Sequence, residues 1–280
     1  MSDIVKNNKS YILTHLHVFR RIVQIGTIIF IILVPFLNQQ GYHGIIGTFY
    51  SISFGALDIL DPALLLQSII LTKSFYLPLI IAAIIPILIA VLFGKIFCSW
   101  GCPFNFLSEL AELLRKKVKK TVFVTNTNPK AHNFWIIYGS ILLLVIITGI
   151  PIITLISMPG LITAQIADSI MFKTIGIELL FVLIILLTEV LLAPRFWCKY
   201  ACPVGATLSL FHTKRSLRIN YNSKHCSNCA VVRDSVCNAI CPLNLNPRGD
   251  DIYPYCNNCM ECVDICQKND QALNISFNKK

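Results

Sequence analysis

Cys256-Asn257-Asn258-Cys259-Met260-Glu261-Cys262-Val263-Asp264-Ile265-Cys266 is the stretch on which the reading of this chain turns. Its spacing, C-x2-C-x2-C-x3-C, places three thiols on one tight loop and carries a fourth away on the next turn. A looser copy lies upstream, Cys226-x2-Cys229-x7-Cys237-x3-Cys241, followed by Pro242. Paired motifs of this kind mark bacterial two-cluster ferredoxins, in which the last cysteine of each motif ligates the other motif's cluster. One [4Fe–4S] cluster is therefore expected on Cys226, Cys229, Cys237 and Cys266, and a second on Cys256, Cys259, Cys262 and Cys241. The long gap in the first copy, Ala230 to Val236, should bulge outward without removing a ligand, and Gln267 stands where proline usually follows. Zinc also takes cysteine tetrads, but two interlocking sets with a three-residue gap favour iron–sulfur. A reducing cytoplasmic compartment disfavours disulfides.

The rest of the chain is of a different character. Of 280 residues, 55% are hydrophobic and 14% are charged, against about 25% charged in soluble domains. The deficit lies in the first 200 residues. It predicts two domains: an all-α membrane domain over residues 1–214 and a small α+β ferredoxin-like domain over 215–280, on the cytoplasmic side. Four segments match the roughly 20 apolar residues a crossing helix needs: Val18–Leu37, Leu77–Phe97, Phe134–Ile156 and Thr174–Ala193. Span one reads as an uncleaved anchor, since Asn38-Gln39-Gln40 offers no small-residue cleavage site.

Basic residues fall on one side. Lys6, Lys9, Arg20 and Arg21 precede span one, Arg115, Lys116, Lys117, Lys119, Lys120 and Lys130 follow span two, and Arg195, Lys199, Lys214, Arg215, Arg218 and Lys224 follow span four. The opposite loops contribute Lys73 and Lys173. Positive-inside counting puts both termini in the cytoplasm. The net charge of +10 is thus a topology signal. Nucleic acid is excluded as a partner, because no basic patch is interleaved with aromatics. In the outer loop, Asp61-Pro62 before Ala63-Leu64-Leu65-Leu66 reads as a capped helix start, with the helix in the outer interface.

Four further cysteines form two copies of one motif, Phe97-Cys98-Ser99-Trp100-Gly101-Cys102-Pro103 and Trp197-Cys198-Lys199-Tyr200-Ala201-Cys202-Pro203. Each copy follows an even-numbered span, so the membrane domain reads as two tandem, parallel two-helix repeats. The first copy continues as an amphipathic helix, with Phe106, Leu107, Leu110, Leu113, Leu114 and Val118 on one face and basic residues on the other, suited to a headgroup surface. The four thiols admit three readings: a further iron–sulfur cluster, redox-active thiols or a docking surface, and plain apolar packing. Glu189, inside span four, is the strongest candidate for a quinone or proton-path group, since an intramembrane acid is functional by default; a bundle hydrogen bond is the alternative. His43, Asp58 and Asp61 are weaker candidates, and Asp61 equally suits a helix cap.

Four spans, FCSWGCP, WCKYACP and a two-cluster tail, with Arg20-Arg21 before span one and Leu60-Asp61-Pro62 plus Gln67 in the outer loop, resemble the NapH family. These are ferredoxin-type membrane subunits of the quinol dehydrogenase that serves periplasmic nitrate reductase. The resemblance implies a bacterial inner-membrane protein that oxidises menaquinol or ubiquinol from the membrane pool. It implies activity as a quinol dehydrogenase subunit only in complex, with electrons passing to a NapG-type periplasmic iron–sulfur partner. It also implies cluster ligation by the eight tail cysteines and functional weight on Cys98, Cys102, Cys198 and Cys202. Two other classes share these motifs: maturation factors for copper or haem oxidases, and redox-sensing regulators. Their relatives carry added β-sandwich or flavin domains.

Overall fold

The computed structural model describes residues 16–118, 128–191, 195–213, 215–226, 230–231, 234–249, 252–269 and 272–277. Cys229, Lys6, Lys9, Lys119, Lys120 and Lys214 lie outside them. The chain is mostly helical, with a small α+β unit at its end.

Among the described residues, two helices are long and apolar enough to cross a membrane, α1 (Leu16–Gln39) and the later α6 (Ala131–Thr148). The other predicted spans are helical but shorter than the sequence suggested. The second, α3 (Leu77–Phe93), stops at Gly94, and the fourth, α9, starts at Glu178 rather than Thr174. The third does not run to Ile156: Gly149 adopts φ 66 and caps α6, as a left-handed glycine does, and Pro151 follows, which cannot continue a helix. These four helices leave large apolar side chains outward, among them Ile22 and Ile29, Ile81 and Leu88, Leu143 and Ile147, and Leu183 and Leu187. Contiguous outward apolar faces are unusual on a water-soluble surface.

The segment between α1 and α3 folds inward. An antiparallel sheet of β1 (Ile46–Thr48), β2 (Ser51–Phe54) and β3 (Leu57–Leu60) feeds α2 (Pro62–Thr72). The start of α2 is as the sequence suggested: Asp61 accepts the Ala63 N–H at 2.9 Å, with Pro62 at the first helical position. Its location is not. Ala63 is fully buried, and α2 packs against α3, α6 and a later helix, α10 (Pro203–Leu210), rather than lying at an outer interface.

The second half holds a matching insert that hydropathy did not separate from its neighbours. After α5 (Pro103–Val118) and α6 come a short α7 (Ile152–Ile156), then α8 (Met158–Met171) with Pro159 in its first turn, and then α9 (Glu178–Leu191). Each insert packs on the helix that follows the other half's CxxxCP motif, α2 on α10 and α8 on α5. Gln67 pins the halves by two bonds to Thr154, donating to Oγ1 at 2.6 Å and accepting its N–H at 3.1 Å. Tyr50 donates to the Thr154 carbonyl at 2.6 Å. A Cβ at residue 160 would stand 2.1 Å from the Tyr50 ring, so only glycine fits there.

The helix α5 is amphipathic, with an inner side that its spacing did not reveal. Its outward face is apolar (Leu110, Leu113, Leu114), and its buried face is largely polar (Asn105, Ser108, Glu109). The reason is a buried ion network. Glu109 Oε1 lies 3.0 Å from Arg20 and 3.6 Å from Arg195 and accepts from Asn105 at 2.9 Å, while its other oxygen pairs with Arg21.

The tail begins with β4 (Arg218–Tyr221). The long gap of the first cysteine motif contains a two-strand pairing of β5 (Ala230–Val231) with β6 (Asp234–Ser235). Then come α11 (Val236–Ala239), α12 (Glu261–Asn269) and β7 (Leu273–Ser276), which pairs antiparallel with β4 from Arg218↔Ser276 to Tyr221↔Leu273. The tail docks on the helices through its second cysteine loop. Ser99 Oγ donates to the Asn257 carbonyl at 2.9 Å and Trp100 Nε1 to the Asn258 carbonyl at 3.3 Å. Asn258 donates to the Phe93 carbonyl at 2.9 Å, and the Leu217 N–H to the Leu92 carbonyl at 2.8 Å.

Candidate metal centres

The two CxxxCP motifs fold alike. In the first, a short helix α4 (Ile96–Trp100) closes with Cys102 N–H donating to the Phe97 carbonyl at 3.0 Å. In the second, a wide π-type turn, Trp197–Ala201, closes with Cys202 N–H donating to the Trp197 carbonyl at 2.9 Å. In both cases the aromatic before the first cysteine receives the amide of the second. The chain then turns straight into a helix with proline at its first position. Proline has no N–H to orphan there, and the next amides point at the preceding residue. The Cys102 thiol accordingly accepts from the Phe104 and Asn105 amides, and Cys202 from Val204 and Gly205. Cysteine followed by proline is thus a sulfur helix cap, with the positive end of the helix aimed at a thiolate.

The structure brings the two copies together. Cys98 and Cys202 pack against one apolar cluster that includes Ala63, Ala90 and Val204, and Cys102 and Cys198 against another that includes Phe104, Met158 and Val182. Cys102 interacts electrostatically with Cys202, and Cys198 with both of them. A Cβ on Gly205 would stand 3.7 Å from the Cys98 sulfur, so a thiol of the first copy rests on the backbone of the second. Burial pushes the Cys102 thiol up to about 12 against the pull of the Asn105 and Phe104 amides. A redox-active thiol needs solvent access, whereas these four pack against apolar clusters.

In the tail, Cys241 and Cys256 share an apolar core with Tyr255, Leu243 and Leu245. Cys226, Cys237, Cys262 and Cys266 share a second, with Val263 and Leu273. Cys259 and Cys262 each interact with Cys241 and Cys256. The last cysteine of each motif therefore sits beside thiols of the other motif, and Cys262 touches both groups. Cys241, before the turn at Pro242, accepts the Leu245 N–H at 3.4 Å, and Cys266 accepts the Leu273 N–H at 3.2 Å. Amides directed at sulfur are one means by which proteins tune such clusters. Cys98, Cys102, Cys198, Cys202, Cys241, Cys256, Cys259 and Cys262 are free thiols. Among the described residues no three potential ligands converge on a point that would hold one metal ion. The all-thiol donor sets fit iron–sulfur clusters.

Tail and helices meet at the thiols themselves. Cys198 packs against the core that holds Cys241 and Cys256. Lys95, 4% exposed, lies between the two groups: its ammonium donates to the Tyr255 carbonyl at 3.4 Å, sits 5.1 Å from the Phe134 ring centre, and interacts with Cys98, Cys198, Cys202 and Cys256. Sequence reasoning missed Lys95, although a lone lysine in an apolar run three residues before a cysteine was a usable signal. Arg195, buried at 3% exposure, was read as a topology charge; it interacts with Cys198 and Cys259. Glu189 is buried with both oxygens engaged, accepting from Ser108 Oγ and, at 3.3 Å, from the Trp197 N–H. It fixes the turn that carries Cys198 rather than facing an open space.

Comparison with known proteins places weight on the same segments. The 4Fe-4S binding domain family matches residues 75–121 and 175–220, the two units that contain the CxxxCP motifs. The chain is 24% identical over 266 residues to the ferredoxin-type protein NapH of Escherichia coli, covering 90% of this chain and 86% of that one. It is 27% identical over 205 residues to the methylamine utilization ferredoxin-type protein MauN of Paracoccus denitrificans, covering 72% and 68%. It is 28% identical over 190 residues to an uncharacterized protein of Methanocaldococcus jannaschii, covering 68% of each. No solved structure matches.

Proposed function

Starting from a ferredoxin-type iron–sulfur electron-transfer protein homologous to NapH and related to MauN, we propose that it is the quinol-oxidising membrane subunit of a respiratory chain in a bacterial inner membrane. In this reading α1, α3, α6 and α9 are four spans with both termini cytoplasmic, and electrons leave to a NapG-type periplasmic iron–sulfur partner that feeds nitrate reductase. The outward apolar faces of all four helices support the spans. The observation that carries the function is the contiguity of the thiol groups, from the CxxxCP quartet through Cys198 to the Cys241–Cys256 core.

Cys226, Cys229, Cys237 and Cys266 would hold one [4Fe–4S] cluster, Cys241, Cys256, Cys259 and Cys262 a second, and Cys98, Cys102, Cys198 and Cys202 a third. Such clusters supply one-electron acceptors of tunable potential. The protein's own residues do the rest. The sulfur caps present amides to the thiolates, Lys95 and Arg195 place positive charge beside them, and the packing of Phe104, Met158 and Tyr255 excludes water. The outer loop, on the side of a periplasmic partner in this reading, also reaches the thiol site. The Phe49 ring, from the outer loop, meets the Phe97 ring edge-on at 5.6 Å, so outer-loop residues touch the CxxxCP turn.

Anaerobic purification followed by addition of a menaquinol analogue under electron paramagnetic resonance tests the reading. Reduced-cubane signals should appear with quinol alone. Clusters that stay oxidised with quinol yet reduce with dithionite would defeat it.

A further inference from the structure

A cavity of about 220 Å³ opens between the outer sheet, α3, the first CxxxCP turn and the start of α10. Phe49, Ile52, Pro86, Phe97 and Val204 contribute to its walls, and Asp61 is the charged side chain among the residues that line it. Its placement follows from the sequence. Pro86 interrupts the hydrogen bonding of α3, and β3 delivers Asp61 to the wall as the cap of α2, where Oδ1 is fixed by the Ala63 N–H. Phe97 immediately precedes Cys98, and Val204 follows Cys202 by two residues. The cavity is therefore walled in part by near sequence neighbours of a cysteine from each copy of the motif.

Apolar walls with one convergent polar group are what a small-molecule site requires. An apolar cavity of about 150 Å³ accepts benzene, so this one has room for a substituted one- or two-ring head. The carboxyl selects further. Burial raises it to about 6, with the Ala63 N–H acting in the opposite direction, so at neutral pH it is mostly an acceptor without a proton of its own. Such a group takes a hydrogen bond from a ring hydroxyl and repels a ring carbonyl.

We infer that this cavity binds the hydroquinone head of a membrane quinol, with the Asp61 carboxylate accepting a hydrogen bond from a ring hydroxyl. The inference rests on the quinol reading above and assigns its site. Glu189, whose oxygens are engaged by Ser108 and Trp197, is not part of it.

The test is a fluorescence-quenching titration of the anaerobically purified full chain with heptyl-hydroxyquinoline N-oxide, an apolar two-ring quinol analogue with an acidic hydroxyl. Asp61→Asn keeps the helix cap but loses the charge-assisted bond, and should weaken binding about tenfold or more. Ile89→Trp, from a different wall, should abolish binding at unchanged iron content, and Ile59→Phe serves as a second filling variant should that one fail to fold. Variants that bind as tightly as the wild type, in a chain still reduced by quinol, would overturn the site and leave the quinol reading standing. A wild-type chain that neither binds the analogue nor is reduced by quinol would overturn both.

Discussion

Glu109→Ala should destabilise the protein by about 3–5 kcal/mol, the range for removing one partner of a buried ion pair. Glu109 is 4% exposed and faces three guanidinium groups, from Arg20, Arg21 and Arg195; Arg20 and Arg195 are 1% and 3% exposed. Without the carboxylate, two buried cations face each other with only peripheral relief, Arg20 from Glu261 and Arg195 from Glu112 at 3.3 Å. The network also joins parts distant in sequence. Arg20 lies on α1, Glu109 on α5, Arg195 before the second CxxxCP turn, and Glu261 on the tail helix α12, where His17 and Asp264 add a 2.8 Å pair. The loss should therefore appear twice, as a lower melting temperature in detergent and as faster proteolysis of the tail. Glu109→Gln, which keeps the acceptor oxygen, should fall between the two. A Glu109→Ala protein that melts with the wild type would show that these arginines find water.

Lys95→Met should lower the reduction potential of the adjacent centres by roughly 50–90 mV. Reduction adds negative charge, and a buried ammonium beside Cys98, Cys198, Cys202 and Cys256 stabilises the added electron. At an effective dielectric of about 20, a unit charge about 8–15 Å from the added electron contributes on the order of 1–2 kcal/mol, and about 59 mV corresponds to tenfold for one electron. Methionine preserves much of the packing against Phe134 while removing the charge. A potentiometric titration read by electron paramagnetic resonance measures the shift, and Lys95→Arg should restore most of it. An unchanged potential in Lys95→Met would place the ammonium outside the field of the clusters.

The parts of this molecule legible in its sequence are those set by local spacing. The ferredoxin-like tail, the doubled CxxxCP motif and the capped start at Asp61-Pro62 each depend on residues within a few positions of one another. The inward course of α2 and the existence of α8 depend on long-range packing. A hydrophobic insert such as Pro62–Thr72 and a crossing helix present the same composition, and α7 and α8 ran into their neighbours for that reason. The polar inner face of α5 was hidden likewise. Its leucines marked an apolar face correctly, and only the arrival of Arg20 and Arg195 from elsewhere makes Glu109 and Asn105 the buried ones. Glu189 drew attention as an intramembrane acid, a correct signal of constraint; its partners Ser108 and Trp197 come from two other segments that no spacing rule connects. Asp61 shows the converse, a cap by sequence that the fold also sets into a cavity wall.

The account turns on the four CxxxCP thiols forming one iron–sulfur site beside the two in the tail. Iron per chain, measured on anaerobically purified protein, tests this most directly. Three cubanes require about twelve irons, and the double variant Cys98→Ser with Cys202→Ser should fall to about eight with the tail signals intact. About eight irons in the wild type, unchanged in the double variant, would contradict it.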